Sequence, residues 1–261
     1  MLLFFYLLLF NPKENANQEF PFGVDPDDHC ESPLNAYQDI QSILDKLVEL
    51  LGKKSKDDKL KVYDPYYCNG SVIQHLNSLG YTKVHNKKQD CYQVWSQSDT
   101  IKEAATEKSK KLKYPKYDVF VTNPPYSSDH VEKLILHLTK DDRTKGKPWC
   151  LLMPTYVHKK DYYKDKLASK QNAENYLQPF YLVPKKRYVY LPPKDFREKK
   201  ASDVHKKSSP FVSMWYIWGG TKENTDLLVQ AYQDWERKNK DYRCDIARGK
   251  SALRDLRRRN K

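Results

Sequence analysis

Tyr117-Asp118-Val119-Phe120-Val121-Thr122-Asn123-Pro124-Pro125-Tyr126 is the stretch on which the reading of this chain turns. Its first six residues are a largely apolar run that predicts a buried strand. The two prolines that follow fix φ and remove two backbone donors, so the strand opens into a rigid turn. The side-chain amide of Asn123 and the carbonyl of Pro124 are then free to face outward, and an aromatic ring comes next. Two acceptors beside one flat ring suit a planar group that carries an NH2. The exocyclic amine of a nucleobase is such a group, and a carboxamide is another. The bland reading of the same residues is a plain Pro-Pro turn that ends a strand.

Upstream, Lys61-Val62-Tyr63-Asp64-Pro65-Tyr66-Tyr67-Cys68-Asn69-Gly70-Ser71 is a second strand-to-loop passage. A strand over 60–63 leads into Asp-Pro, and the apolar spacing of Val72, Ile73, Leu76 and Leu79 predicts a helix closed by Gly80. On its own, Asp64-Pro65 reads as the start of a turn. Working outward, apolar residues over 34–51 recur at helical spacing and Gly52 ends the run. Strands are predicted over 81–86, 149–153 and 211–218, with a short one over 90–95. Residues 180–183 and 187–191 read as a hairpin. Helices are predicted over 131–138 and 227–235. Strands alternating with helices place the chain in the α/β class, with a parallel sheet covered on both faces.

Together the two loops resemble those of S-adenosylmethionine-dependent amino-methyltransferases. That family carries Asn/Asp-Pro-Pro-Tyr/Phe as its catalytic turn and Asp-Pro-x-x-Gly-x-Gly as its cofactor loop, in this order. The resemblance implies a Rossmann-like methyltransferase fold, a mostly parallel seven-stranded sheet with helices on both faces and a reversed edge strand. It implies S-adenosylmethionine as cofactor, with Asp64, Pro65, Tyr66 and Gly70 around its amino-acid part. Asn86 would meet the ribose hydroxyls where the family usually has an acid, and Asp90, followed by an aromatic, would hold the adenine. Cys68 stands where the family has its first loop glycine. Asn123, Pro124, Pro125 and Tyr126 would be catalytic. The Asn123 Oδ1 atom and the Pro124 carbonyl would accept hydrogen bonds from the target amine, and Tyr126 would stack on the target plane. Such chemistry calls for neither a metal nor a covalent nucleophile. The implied substrate is a nucleic-acid base, adenine N6 in DNA or RNA first. Protein glutamine N5, or a binding protein that kept the fold and lost the chemistry, are the alternatives.

Composition bears on partners. The chain of 261 residues carries 47 Lys and Arg against 34 Asp and Glu, a formal charge of +13. Nucleic acid is the commonest polyanionic partner of so basic a protein, although a lysine-rich composition alone has the same look. Lys185, Lys186 and Arg187 alternate with aromatics in a basic substrate loop spanning 184–210. Arg257, Arg258 and Arg259 belong to an arginine-rich tail that suits phosphates, a nuclear address or a solvated helix equally. His158-Lys159-Lys160 reads as surface. With the resemblance, the chain is expected to divide into a lead-in, 1–33, a methyltransferase domain, 34–220, with a lysine-rich insertion over 97–116, and a C-terminal helix and tail, 221–261. Five cysteines without a CxxC pair suggest neither a disulfide framework nor a zinc site, and fit an intracellular protein, nuclear or cytoplasmic. The apolar run of the first ten residues is too short to span a bilayer, which takes about 20. It reads as a buried or interfacial segment or a misplaced start, with membrane association or secretion as the minor alternative.

Overall fold

The computed structural model describes residues 30–54, 60–97, 112–168, 178–190 and 211–259. The N-terminal apolar run, most of the lysine-rich insertion and most of the basic loop lie outside the described residues.

The run that opens the sequence reading forms strand β3, Val119–Thr122, buried at every position. It is flanked in parallel by β1, Lys61–Tyr63, and by β4, Trp149–Pro154. Asp118 sets the β1 pairing, since its carboxylate accepts the Lys61 amide at 2.8 Å and the Lys53 ammonium at 3.0 Å. β2, Lys83–His85, lies parallel to β1 on the far side. Beyond β4 come β6, Ser213–Trp218, then β5, Phe180–Pro184, then β7, Cys244–Arg248. All three of those pairings are antiparallel, so β6 and β7 oppose the other five strands.

The α/β class holds, and among the described residues the sheet has seven strands, but it is mixed. The reversed strand expected at an edge, β6, sits instead between β4 and β5. All six of its residues are buried, as a strand covered on both faces requires. The edge on that side is β7, which is itself reversed and is drawn from the segment read as a tail. Arg187 to Tyr190 makes no hairpin with β5, whose ladders are taken by β6 and β7. The stretch read as a short strand after Asp90 is helix α4, Cys91–Ser96. Its Cys91, Val94 and Trp95 fall at helical spacing, and Asp90 caps it.

Alternate strand residues sort onto two cores. Val119, Val121, Leu152 and Trp215 face α1, Leu34–Asp39, α2, Gln41–Leu50, α3, Ser71–Ser78, and α6, Lys222–Lys238. Phe120, Leu151, Met153 and Tyr216 face α5, His130–Lys140, and α7, Gly249–Arg259. The helix expected over 34–51 is broken at Ile40 into α1 and α2. The indole of Trp215, buried in β6, donates to the Ala36 carbonyl at 3.1 Å and so fixes α1 on the sheet. His158 is buried rather than on the surface, its amide donating to the Tyr216 hydroxyl at 3.2 Å. Among the described residues no helix is long and apolar enough to cross a membrane.

Candidate functional site

From β1 the chain passes to β2 on one side and then to β3 on the other, so the strand order switches between β1 and β3. Ligands of open α/β sheets bind outside the carboxyl ends of the strands at such a point. Asp64 follows β1, Asn86 follows β2 and Asn123 follows β3. All three line one cleft there, with Tyr66, Cys68 and Gly70 from the first loop and Cys30, Glu31, Ser32, Tyr37 and Val72 beside them. About 290 Å³ of space between atoms lies in the cleft, open solvent at its mouth included. Among the described residues that line it, none is basic.

Asp64 is buried, with its carboxylate accepting the Thr122 hydroxyl at 2.5 Å and the Tyr66 amide at 3.2 Å. Burial pushes its carboxyl up to about 8, against the pull of those two hydrogen bonds; the nearby charge of Glu31 adds to the rise. Asn86 is buried too. Its Nδ2 atom donates to the carbonyls of Asp64 at 3.1 Å and Tyr66 at 3.4 Å, while Oδ1 is buried without a partner. A buried acceptor left unmet is uncommon and costs about 1–3 kcal/mol, so it marks a place for a donor. Gly70 matters for its backbone more than for close approach. Its φ of +80° is left-handed, whereas a Cβ there would meet Tyr67 at an ordinary 3.4 Å. The Cys68 thiol is pushed well up by burial, the charge of Glu31 adding to it.

Two residues predicted around the cofactor stand apart from the cleft lining. Pro65 is buried and does not line the cleft. The Asp90 carboxylate accepts the amides of Tyr92 at 2.8 Å and Gln93 at 3.4 Å, which is a helix-capping task.

At the Pro-Pro turn, Pro124 is buried and Asn123, Pro125 and Tyr126 are half-buried. The Tyr126 hydroxyl donates to Asn123 Oδ1 at 2.5 Å and also lies 3.2 Å from the Leu152 carbonyl and 3.4 Å from the Tyr190 hydroxyl. One of the two acceptors foreseen for a ligand is thus engaged by the neighbouring tyrosine. The Tyr126 ring meets Phe211 edge-on at 5.9 Å, and Phe211 meets Tyr156 edge-on at 5.8 Å. Phe211 is 40% exposed, unusual for a large apolar side chain. Ser128 has φ +48°, the one non-glycine residue in the left-handed region among those described.

The basic segment separates by alternation. Lys185, Lys186 and Arg187 are exposed, while Tyr188 and Tyr190 point inward and are buried. Tyr188 donates to Asp39 at 2.6 Å, and Tyr190 shares a 2.5 Å hydrogen bond with Ser213. These aromatics are therefore not interleaved with the cations on one surface. Lys185 lies over the Tyr242 ring at 3.3 Å and 4.0 Å from Asp245. Arg257, Arg258 and Arg259 lie on α7, where Arg258 and Arg259 are exposed along with Lys250 and Arg254. Leu253 of the same helix is buried.

Sequence reasoning missed Thr122 as a partner of Asp64, and Cys30, Glu31, Ser32 and Tyr37 as cleft residues. Thr122 had a signal, since it precedes the turn at the end of a strand neighbouring β1. The others had none, because nothing local ties 30–37 to a loop so far along the chain. Comparison with protein-family models and with curated protein sequences finds no match.

Proposed function

We propose that this chain is an S-adenosylmethionine-dependent methyltransferase acting on an exocyclic amine of a nucleic-acid base, adenine N6 first, in DNA or RNA. The observation that carries the reading is the convergence of Asp64, Asn86 and Asn123 on one cleft at the switch point of the sheet. A mixed α/β sheet containing a reversed strand is compatible with the fold that the two loops imply.

The residues present fit the cofactor. S-adenosylmethionine is cationic at its sulfonium and its ammonium, and the described residues that line the cleft include two carboxyl groups and no basic side chain. Its ribose hydroxyls can supply the donor that Asn86 Oδ1 lacks. When bound, the cofactor supplies an electrophilic methyl group. On the protein side, Asn123 Oδ1 and the Pro124 carbonyl orient the target amine and draw on its two N–H bonds. That localises a nitrogen lone pair otherwise delocalised into the ring. These contacts strengthen as the nitrogen becomes pyramidal, so they favour the transition state over the ground state. A base within a duplex would first be flipped out. Phosphates would meet the exposed Lys186 and Arg187 and the cations of α7. Two departures from the resemblance remain in this cleft: Cys68 in place of a glycine, and Asn86 in place of an acid.

The test is transfer of labelled methyl from S-adenosylmethionine to DNA, RNA and protein fractions separately, with Asn123→Ala alongside. Label is expected in a nucleic-acid fraction, reduced about 100-fold or more in the variant, by analogy with loss of one preorganised hydrogen-bond partner. Label confined to protein would transfer the reading to glutamine N5. No label and no cofactor binding would leave a nucleic-acid-binding protein without the chemistry.

A further inference from the structure

Residues 30–32 cross the first loop just before α1. The Asn69 amide donates to Glu31 Oε1 at 2.5 Å, tying this strap to the loop between Cys68 and Gly70. Cys30, Glu31 and Ser32 all line the cleft, facing the same space as Asp64 and Asn86. Two carboxyl groups therefore share a partly enclosed cleft with no counter-ion among the described residues that line it, within a protein of net charge +13. Grouping acids in this way is unfavourable unless one of them is protonated, as burial favours for Asp64, or a bound cation compensates for it. Asn86 is an independent pointer to a ligand: it is only 6% exposed, and its Oδ1 atom has no partner.

We propose that Glu31 is a cofactor-binding residue, its carboxylate pairing with the α-ammonium group of S-adenosylmethionine opposite Asp64. This rests on the methyltransferase reading and deepens it. Glu31 accepts the Asn69 amide and the Cys68 thiol from the loop, and its two carboxylate oxygens keep further lone pairs for an ammonium N–H. It is fastened to the loop that the resemblance places around the amino-acid part of the cofactor. Free carboxylate capacity at that place favours the ammonium over the sulfonium.

The experiment is titration of the wild-type chain and Glu31→Gln with three ligands. S-adenosylmethionine has both cationic centres, S-adenosylhomocysteine keeps only the ammonium, and 5′-methylthioadenosine has neither. Glutamine retains an oxygen for the Asn69 amide, so the strap stays tied. Loss of a charge-assisted hydrogen bond is expected to weaken the first two ligands equally, roughly 10- to 100-fold, and to leave the third unchanged. Equal weakening of all three would show a merely structural role and overturn the proposal. Weakening of S-adenosylmethionine alone would overturn the ammonium assignment, and unchanged affinities would do the same. If the wild-type chain binds none of them, the methyltransferase reading itself fails, which is a distinguishable result.

Discussion

Tyr126 occupies the acceptor on which the proposed chemistry depends. Its hydroxyl lies on Asn123 Oδ1, so an incoming amine has to displace that contact before the amide can orient it. Removing the hydroxyl and keeping the ring separates the two parts of the residue. Under the proposed function, Tyr126→Phe should lower KM for the acceptor by about 2- to 10-fold, the worth of one neutral hydrogen bond. Turnover at saturation should hold within a few-fold. Steady-state kinetics against acceptor concentration checks this. A higher KM together with a lower kcat would mean that the hydroxyl takes part in the working site. Asn123 and Tyr126 were legible in the sequence because their chemistry is local to one turn. Their mutual hydrogen bond was not, because it depends on side-chain rotation set by Leu152 and Tyr190.

At the scale of the element, α4 and its cap decide what Asp90 does. A carboxylate accepting two amides of the first turn stabilises a short helix, and losing such a cap costs about 1 kcal/mol, within about 0.5–2. Asp90→Ala should therefore lower the unfolding midpoint by ~2–4 °C in a protein of this size and leave cofactor affinity unchanged. Thermal unfolding and a binding titration decide the point together. A drop in affinity with an unaltered midpoint would restore Asp90 to the cofactor site. The signal for α4 was in the sequence, as Asp90 precedes Cys91, Val94 and Trp95 at helical spacing. A window so short also fits a strand, and only packing of Trp95 against Tyr66 and the face of His137 settles it. The reverse holds for β7, whose mixed residues carry no strong strand pattern and pair only because β5 offers an edge.

For the whole molecule, two buried groups set opposite slopes of stability against pH. Burial raises the Asp64 carboxyl from 3.8 to about 8, so the folded state binds more protons than the unfolded state across that interval. Stability from this group is complete at low pH and is lost as pH rises through about 8. His137, buried against Trp95, is lowered from 6.5 to about 4, chiefly by burial, so its contribution is lost as pH falls through about 4. Between pH 6.5 and 8 only the Asp64 slope of this pair remains, at most about 1.4 kcal/mol per pH unit. Denaturant unfolding of the ligand-free protein should show stability falling over that range, and Asp64→Asn should flatten the fall. An equal slope in the variant would assign the effect to other groups.

What the sequence determined by itself was what neighbouring residues settle among themselves. The α/β class followed from strand and helix periodicities, β3 from its apolar run, and the two loops from prolines and glycine whose backbone limits act within a few residues. The tertiary structure decided everything that joins distant parts of the chain. It set β6 inside the sheet, recruited 244–248 as an edge strand and turned Tyr188 and Tyr190 inward. It brought Glu31 and Ser32 onto the loop that contains Asn69. Such placements come from burial and hydrogen-bond satisfaction summed over the whole packed molecule, and no local window contains that sum.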